Sequence, residues 1–236
     1  NSIMVDVCMA VLGLTPEFGL LFDENRKADL LVKLDIDEMD DDALGFLMGQ
    51  RVVDRIPVFT HYPFDKVQLK NLGATMAASG GCAMFHVEGL TPECPSVEAV
   101  LKDDHEVVTV TQRDIDALRL EREKQQDSGI VVYGCPQMTL EEVQQVGERF
   151  VGKKVKKRTL FHVVPDDYEE LKALPLYEQL LDAGVEIHAH CPLAALSVRL
   201  SKKNKQVLTS SGKLHYYLDG AAYGNPGDLA NVTGIE

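Results

Sequence analysis

Short apolar runs rich in β-branched residues alternate with stretches of helical periodicity along almost the whole chain. Asp29–Ile36 (DLLVKLDI) reads as a strand, and Asp42–Asp54 as a helix with an acidic first turn. Ile56–Thr60 is a short β-rich run, Phe64–Ala78 has a helical period, and Cys82–Val87 reads as a strand. Ser96–Leu101 is a short helix with Ser96 as its cap, Glu106–Val110 a strand, and Thr111–Gln126 a long polar-faced helix. Ile130–Tyr133 is wholly apolar, and Thr139-Leu140-Glu141-Glu142 is a capping box opening a helix to Phe150. Leu160–Val164, Val185–His188 and Val207–Thr209 complete the strands, with helical segments at Asp167–Ala173 and Leu176–Ala183. Short strands separated by helices predict an α/β fold of mostly parallel sheets with helices on both faces. The linker-like stretch Glu123–Gly129 (EKQQDSG) divides the chain into expected domains 1–126 and 127–236.

Composition narrows the functional classes. The chain has 236 residues, long enough for one large domain or two small ones. Its 24 basic and 37 acidic residues give a net charge of −13, which argues against nucleic acid or an anionic membrane surface as partner. The one basic run, Lys153–Arg158, reads as a solvated connection entering a strand. No apolar run reaches the roughly 18 residues of a membrane span. Five cysteines at irregular spacing form no disulfide framework, so reduced thiols in the cytoplasm are expected, some of them ligands.

Thiols, hydroxyls, imidazoles and one lysine gather after the strands. Gly134-Cys135-Pro136 follows one apolar run, and His188-Ala189-His190-Cys191-Pro192 closes another. In an open α/β sheet, groups past the carboxyl ends of strands converge on one crevice, where two thiols can hold iron. Thr209-Ser210-Ser211-Gly212-Lys213 is a hydroxyl-rich turn, read either as an anion cradle or as an ordinary helix cap. His188 and His190 alternate on a strand, where packing is as good an account as catalysis. With Cys191 they also make a weak zinc set. Cys8, Cys82 and Cys94 read as unliganded.

Several segments together resemble the aconitase X family. They are Leu14–Gly19, Asp23–Arg26, Gly45–Glu93, the GCPQMTLEEV run from Gly134, and LTSSGKLHYYLDG from Leu208. The resemblance spans nearly the whole chain. It implies an aconitase-like fold and a hydro-lyase acting on cis-3-hydroxy-L-proline or mevalonate 5-phosphate. It also implies an iron–sulfur cluster or mononuclear iron held by cysteines, and a small swivelling domain, fused or supplied as a separate subunit. On that resemblance Cys135 and Cys191 are two metal ligands, and Ser79, Gly80, His86, Ser210 and Gly212 bind substrate. Ser211 is then the proton-abstracting group, with Lys213 beside it.

Set against the family pattern, the chain starts after an N-terminal stretch bearing another cysteine ligand. By that pattern a loop rich in Gly, Asn and Arg is expected before Met4, Gln137 stands where many relatives have His, and the swivelling domain is expected as a separate subunit. The expected chemistry is elimination of water, with a metal Lewis acid on the leaving hydroxyl and a base on the neighbouring carbon. The rival expectation is a non-catalytic subunit or fragment of such an enzyme. A zinc-dependent hydrolase is the third reading.

Overall fold

The computed structural model describes residues 3–120, 129–193, 207–218, 221–224, 229–231 and 233. Helix α1 spans Ile3–Leu12 and stands largely exposed. The first sheet and its helices follow in the order β1 Ala28–Asp35, α2 Asp41–Arg51, β2 Pro57–Phe59, α3 Lys66–Gly80, β3 His86–Val87, α4 Val97–Val100, β4 Leu101–Thr111 and α5 Gln112–Leu120. The strands lie side by side as β3-β2-β1-β4, every pair parallel. Local chemistry sets the helix starts. The Asp40 carboxylate accepts the Ala43 N–H at 3.0 Å to cap α2. Asp65 and Gln68 form a reciprocal capping box on α3, which ends at left-handed Gly81. Leu44 and Met48 of α2, Leu72 and Met76 of α3 and Ile115 of α5 bury the apolar residues Leu30, Val32 and Phe59 of the sheet.

The second unit runs β5 Ile130–Met138, α6 Leu140–Gly147, β6 Arg158–Val163, α7 Pro165–Lys172, α8 Pro175–Ala183, β7 Val185–His188, β8 Val207–Thr209, α9 Gly212–Tyr217 and β9 Ala222–Tyr223. Its strand order is β7-β6-β5-β8-β9, again wholly parallel. The expected capping box is present: Thr139 Oγ1 accepts the Glu142 N–H, and the Glu142 carboxylate accepts the Thr139 N–H. The core is built around Phe161, which meets Tyr133 and Phe150 edge-on at centroid distances of 4.8 and 5.6 Å. Edge-to-face contact sets the positive ring edge against a negative face.

The expected fold class is observed: two parallel sheets, each with helices packed on it. Two strand boundaries differ from expectation. Only His86–Val87 pairs in the run read as Cys82–Val87, because the chain there is still leaving α3. The Cys82 N–H donates to Met76 O, and the Cys82 thiol donates to Met84 O. Strand β4 begins at Leu101 rather than Glu106. Its exposed residues Lys102–His105 bulge from an edge strand, where no apolar alternation is required. The linker-like stretch and the far end of the helix expected to Gln126 lie outside the described residues, apart from Gly129.

Phe161→Ala removes the ring at the centre of the second core, and should lower stability by about 3–5 kcal/mol in urea unfolding.

Candidate active site

In each sheet the chain starts at an inner strand, builds outward on one side, then returns to the other side. The strand order therefore reverses between β1 and β4 in the first sheet, and between β5 and β8 in the second. Ligand crevices form at such switch points, outside the carboxyl ends of the strands. Here the two switch points face one another. Strand β1 leads into the N-terminus of α2, and β8 leads into the N-terminus of α9. The Gly212 N–H of α9 donates to the Asp42 carboxylate of α2 at 2.8 Å. A cavity of about 210 Å³ lies beside this junction. Its walls include Asp41 and Asp42 of α2, Asn71 of α3, Cys135 of β5, Glu142 of α6, and Ser210 and Ser211.

Cys135 is presented by a sharp departure from the ladder. Gly134 has φ +94, a left-handed conformation open to glycine, and a Cβ there would lie 2.3 Å from His162 O. Burial pushes the Cys135 thiol up to about 12. Lys213 and a hydrogen bond from Ser211 oppose the rise, while the nearby Cys191 thiol adds to it. Cys191 itself is exposed. Ser211 is buried as the cap of α9, its Oγ accepting the Leu214 N–H at 3.0 Å and donating to the Cys135 carbonyl. A carbonyl only accepts, so the hydroxyl proton sits on Ser211. Gly212 packs so closely that a Cβ would fall 2.5 Å from Thr75 Cγ2.

Asp41 and Asp42 form the opposite wall, and Asp40 precedes them as the cap of α2. Asp40 caps α2 and accepts a hydrogen bond from the buried Tyr223 hydroxyl of β9. Asp42 accepts from Thr75 Oγ1 at 2.6 Å as well as from Gly212. Burial, then the neighbouring Asp41, hold the Asp42 carboxyl well above the usual carboxylate range. Asp41 is raised to about 7, first by burial and then by Asp40 and Glu142, against a hydrogen bond with Asn71. Its Oδ2 is enclosed without a hydrogen-bond partner.

The sequence-predicted residues thus divide. Cys135, Ser210 and Ser211 share the cavity wall, Gly212 adjoins it, and Lys213 and Cys191 act electrostatically on Cys135. Ser79 and Gly80 do not line it. They lie at the crossing of α3 with α2, where the Ser79 hydroxyl donates to Thr75 O and a Cβ on Gly80 would sit 1.8 Å from Gly49 O. His86 lies on edge strand β3, its Nε2 2.7 Å from Arg26 O. The Gly212 amide is committed to Asp42 and has no donor left for a substrate. His162, His188 and His190 form a triangle of rings 5.0–5.5 Å apart. Burial lowers His162 to about 4. Among the described residues, no group of three His, Cys, Asp or Glu is placed to hold a metal.

Asp40, Asp41, Asp42, Asn71 and Glu142 were not singled out from the sequence. The acidic run at the start of α2 and the capping box at Glu142 were the signals, and both read equally as caps. Iron–sulfur clusters take up to four thiolates. Cys135 and Cys191, near each other beside a lysine, fit two of those positions; the described residues do not complete the set.

Two parallel sheets with a cavity beside their switch points, lined by a thiol and hydroxyls, make this an α/β protein with a candidate small-molecule site. Family models for the aconitase X second and third domains match residues 27–120 and 128–227, and the chain belongs to the aconitase X family. It is 28% identical over 225 residues to the phosphomevalonate dehydratase large subunit of Methanosarcina mazei, covering 92% of this chain and 54% of that protein. It is 24% identical over 230 residues to cis-3-hydroxy-L-proline dehydratase of Hypocrea jecorina, covering 90% and 39%. The crystal structure of the holo-form of Thermococcus kodakaraensis aconitase X superposes with a TM-score of 0.80 at 28% identity, covering 96% of this chain and 60% of that one. The chain spans roughly half the length of such relatives. No helix among the described residues is long and apolar enough to cross a membrane.

The Asp41 carboxyl keeps its proton to about pH 7 when folded, whereas the unfolded chain releases it near 3.8. The folded chain therefore carries the extra proton across that window, and stability falls as pH rises through it. Asp41→Asn removes the penalty, and should gain about 2–4 kcal/mol relative to the parent between pH 4 and pH 8, read from denaturant midpoints at both pH values. A pH-independent difference would show that Asp41 does not titrate in this window.

Proposed function

We propose that this chain forms the iron-holding part of a cytoplasmic hydro-lyase that eliminates water from a small anionic hydroxy acid. The substrate is of the mevalonate 5-phosphate or cis-3-hydroxy-L-proline type. The observation that carries this reading is the convergence of Cys135, Ser210 and Ser211 on one cavity between two switch points, with Lys213 and Cys191 beside them. Relatives named as dehydratases of both kinds support it, and the name "large subunit" supports a smaller partner subunit. Five free cysteines suit a reducing compartment.

Cys135 and Cys191 would hold the iron or iron–sulfur centre, with further ligands from beyond the described residues. When bound, that centre supplies a Lewis acid that makes the substrate hydroxyl a better leaving group. Ser211 takes the proton from the neighbouring carbon. To do so its Oγ must turn from the Cys135 carbonyl and work as an alkoxide, which the positive charge of Lys213 favours. Ser210, on the same wall, would bind the substrate. Ser79, Gly80 and His86, which do not line the cavity, make packing and backbone contacts. The second reading, a non-catalytic subunit of such an enzyme, draws on the incomplete ligand set.

Anaerobic reconstitution of the complete enzyme with iron and sulfide separates the two. The catalytic reading expects a brown protein that dehydrates one of the two substrates. Ser211→Ala should then lower kcat by about 10²–10⁴-fold with iron content unchanged. A colourless, inactive assembly would favour the scaffold, and full turnover by Ser211→Ala would remove the base assignment.

A further inference from the structure

We propose that Asp41 is a further catalytic residue of this site, a carboxyl that hands its proton to the departing hydroxyl. This rests on the dehydratase reading above. Asp41 lines the cavity together with Cys135 and Ser211. Of the three carboxyls it alone has no architectural duty: Asp40 caps α2 and holds Tyr223, while Asp42 holds Thr75 and Gly212. Asn71 of α3 hydrogen-bonds the Asp41 carboxyl, yet Oδ2 is enclosed with nothing to bond. An enclosed oxygen without a partner is disfavoured unless a proton or a ligand uses it.

The surroundings keep that proton transferable. Asp40 and Asp42 flank Asp41 at the start of α2, Asp65 at the cap of α3 and Asn71 within it line the cavity, Glu142 faces it from α6, and Cys135 lies across on β5. Glu142 is itself paired with Lys70 at 2.5 Å, and Lys213 acts on Cys135. At about 7, both forms of Asp41 are populated near neutral pH, the condition under which a side chain both gives and regains a proton. The step balances. The C–H bond breaks to Ser211 Oγ and its electron pair forms the new double bond. The C–O bond breaks, and the leaving oxygen takes the Asp41 proton and departs as water. Asp41 regains from solvent the proton that the Ser211 hydroxyl released before the step, which restores both groups.

In the assembled, iron-loaded enzyme, Asp41→Asn should lower kcat by about 100-fold, with KM within about twofold, and abolish the fall in kcat on the alkaline side of neutrality. Asn71→Leu deletes a hydrogen bond that favours the charged form, so it should move that alkaline limb to higher pH. Infrared titration of the iron-free protein should show a carboxyl protonating near pH 7 that disappears in Asp41→Asn, a readout independent of turnover. An active parent whose rate and pH profile survive Asp41→Asn overturns the proposal, as does the absence of that titrating carboxyl. A parent that loads iron yet dehydrates neither substrate overturns the dehydratase reading, and the proposal with it.

Discussion

The hydrogen bond from the Gly212 amide to Asp42 ties together residues 170 positions apart in the chain. Its importance lies in where it falls. Each sheet has an opening at its strand-order reversal, and this bond brings the two openings together. Thr75 braces Asp42 from α3, and the close approach of Gly212 to Thr75 leaves room for no side chain at that position. Ser211, the neighbour of Gly212, is thereby fixed against Cys135 of the second sheet. The position of the Ser211 hydroxyl thus follows from a contact between sheets more than from its own loop.

This junction sets buried carboxyls against stability. Adjacent acids in a poorly hydrated place repel one another, and burial disfavours the charged forms of Asp41 and Asp42. Asp42 recovers much of that penalty by accepting hydrogen bonds from Thr75 and Gly212, and Asp40 accepts one from Tyr223. Asp41 recovers less, because one of its oxygens bonds nothing. A protein selected only for stability would carry an amide there. Local strain retained at a cavity wall is the pattern expected where stability has been given up for chemistry.

The alternation of strands and helices was legible because each element is locally consistent. The Thr139–Glu142 capping box and the buried runs at Val131 and Phe161 form the elements that their patterns imply. Cys135 and Ser211 were legible because turn chemistry after an apolar run marks the end of a strand. The acidic wall was not. At a helix N-terminus an aspartate is a routine cap, and only α9, arriving from far along the chain, buries Asp42. Ser79 and Gly80, drawn from the family resemblance, lie off the cavity wall, at a helix crossing that their sequence does not announce. Small residues are needed there, where α2 and α3 cross at Gly49. Tertiary proximity, which no local pattern encodes, decided both cases.

A second link holds the cavity on its other side. Lys70 of α3 reaches Glu142 of α6 at 2.5 Å and the carbonyl of Gln137 at 3.3 Å, while the Gln137 side chain donates to Val163 O of β6. Glu142 also receives the Thr139 amide, so one carboxylate caps α6 and anchors α3 to it. Lys70 and Glu142 are each mostly shielded from water, which leaves their attraction less screened than in an exposed pair. The cavity is therefore bracketed by two carboxylate-centred links between the sheets, Asp42 to α9 and Glu142 to α3. The second uses a charge that would otherwise stand bare beside Asp41. Loosening either would alter both the shape of the cavity and the field at Asp41, so geometry and proton affinity at this site are properties of one junction.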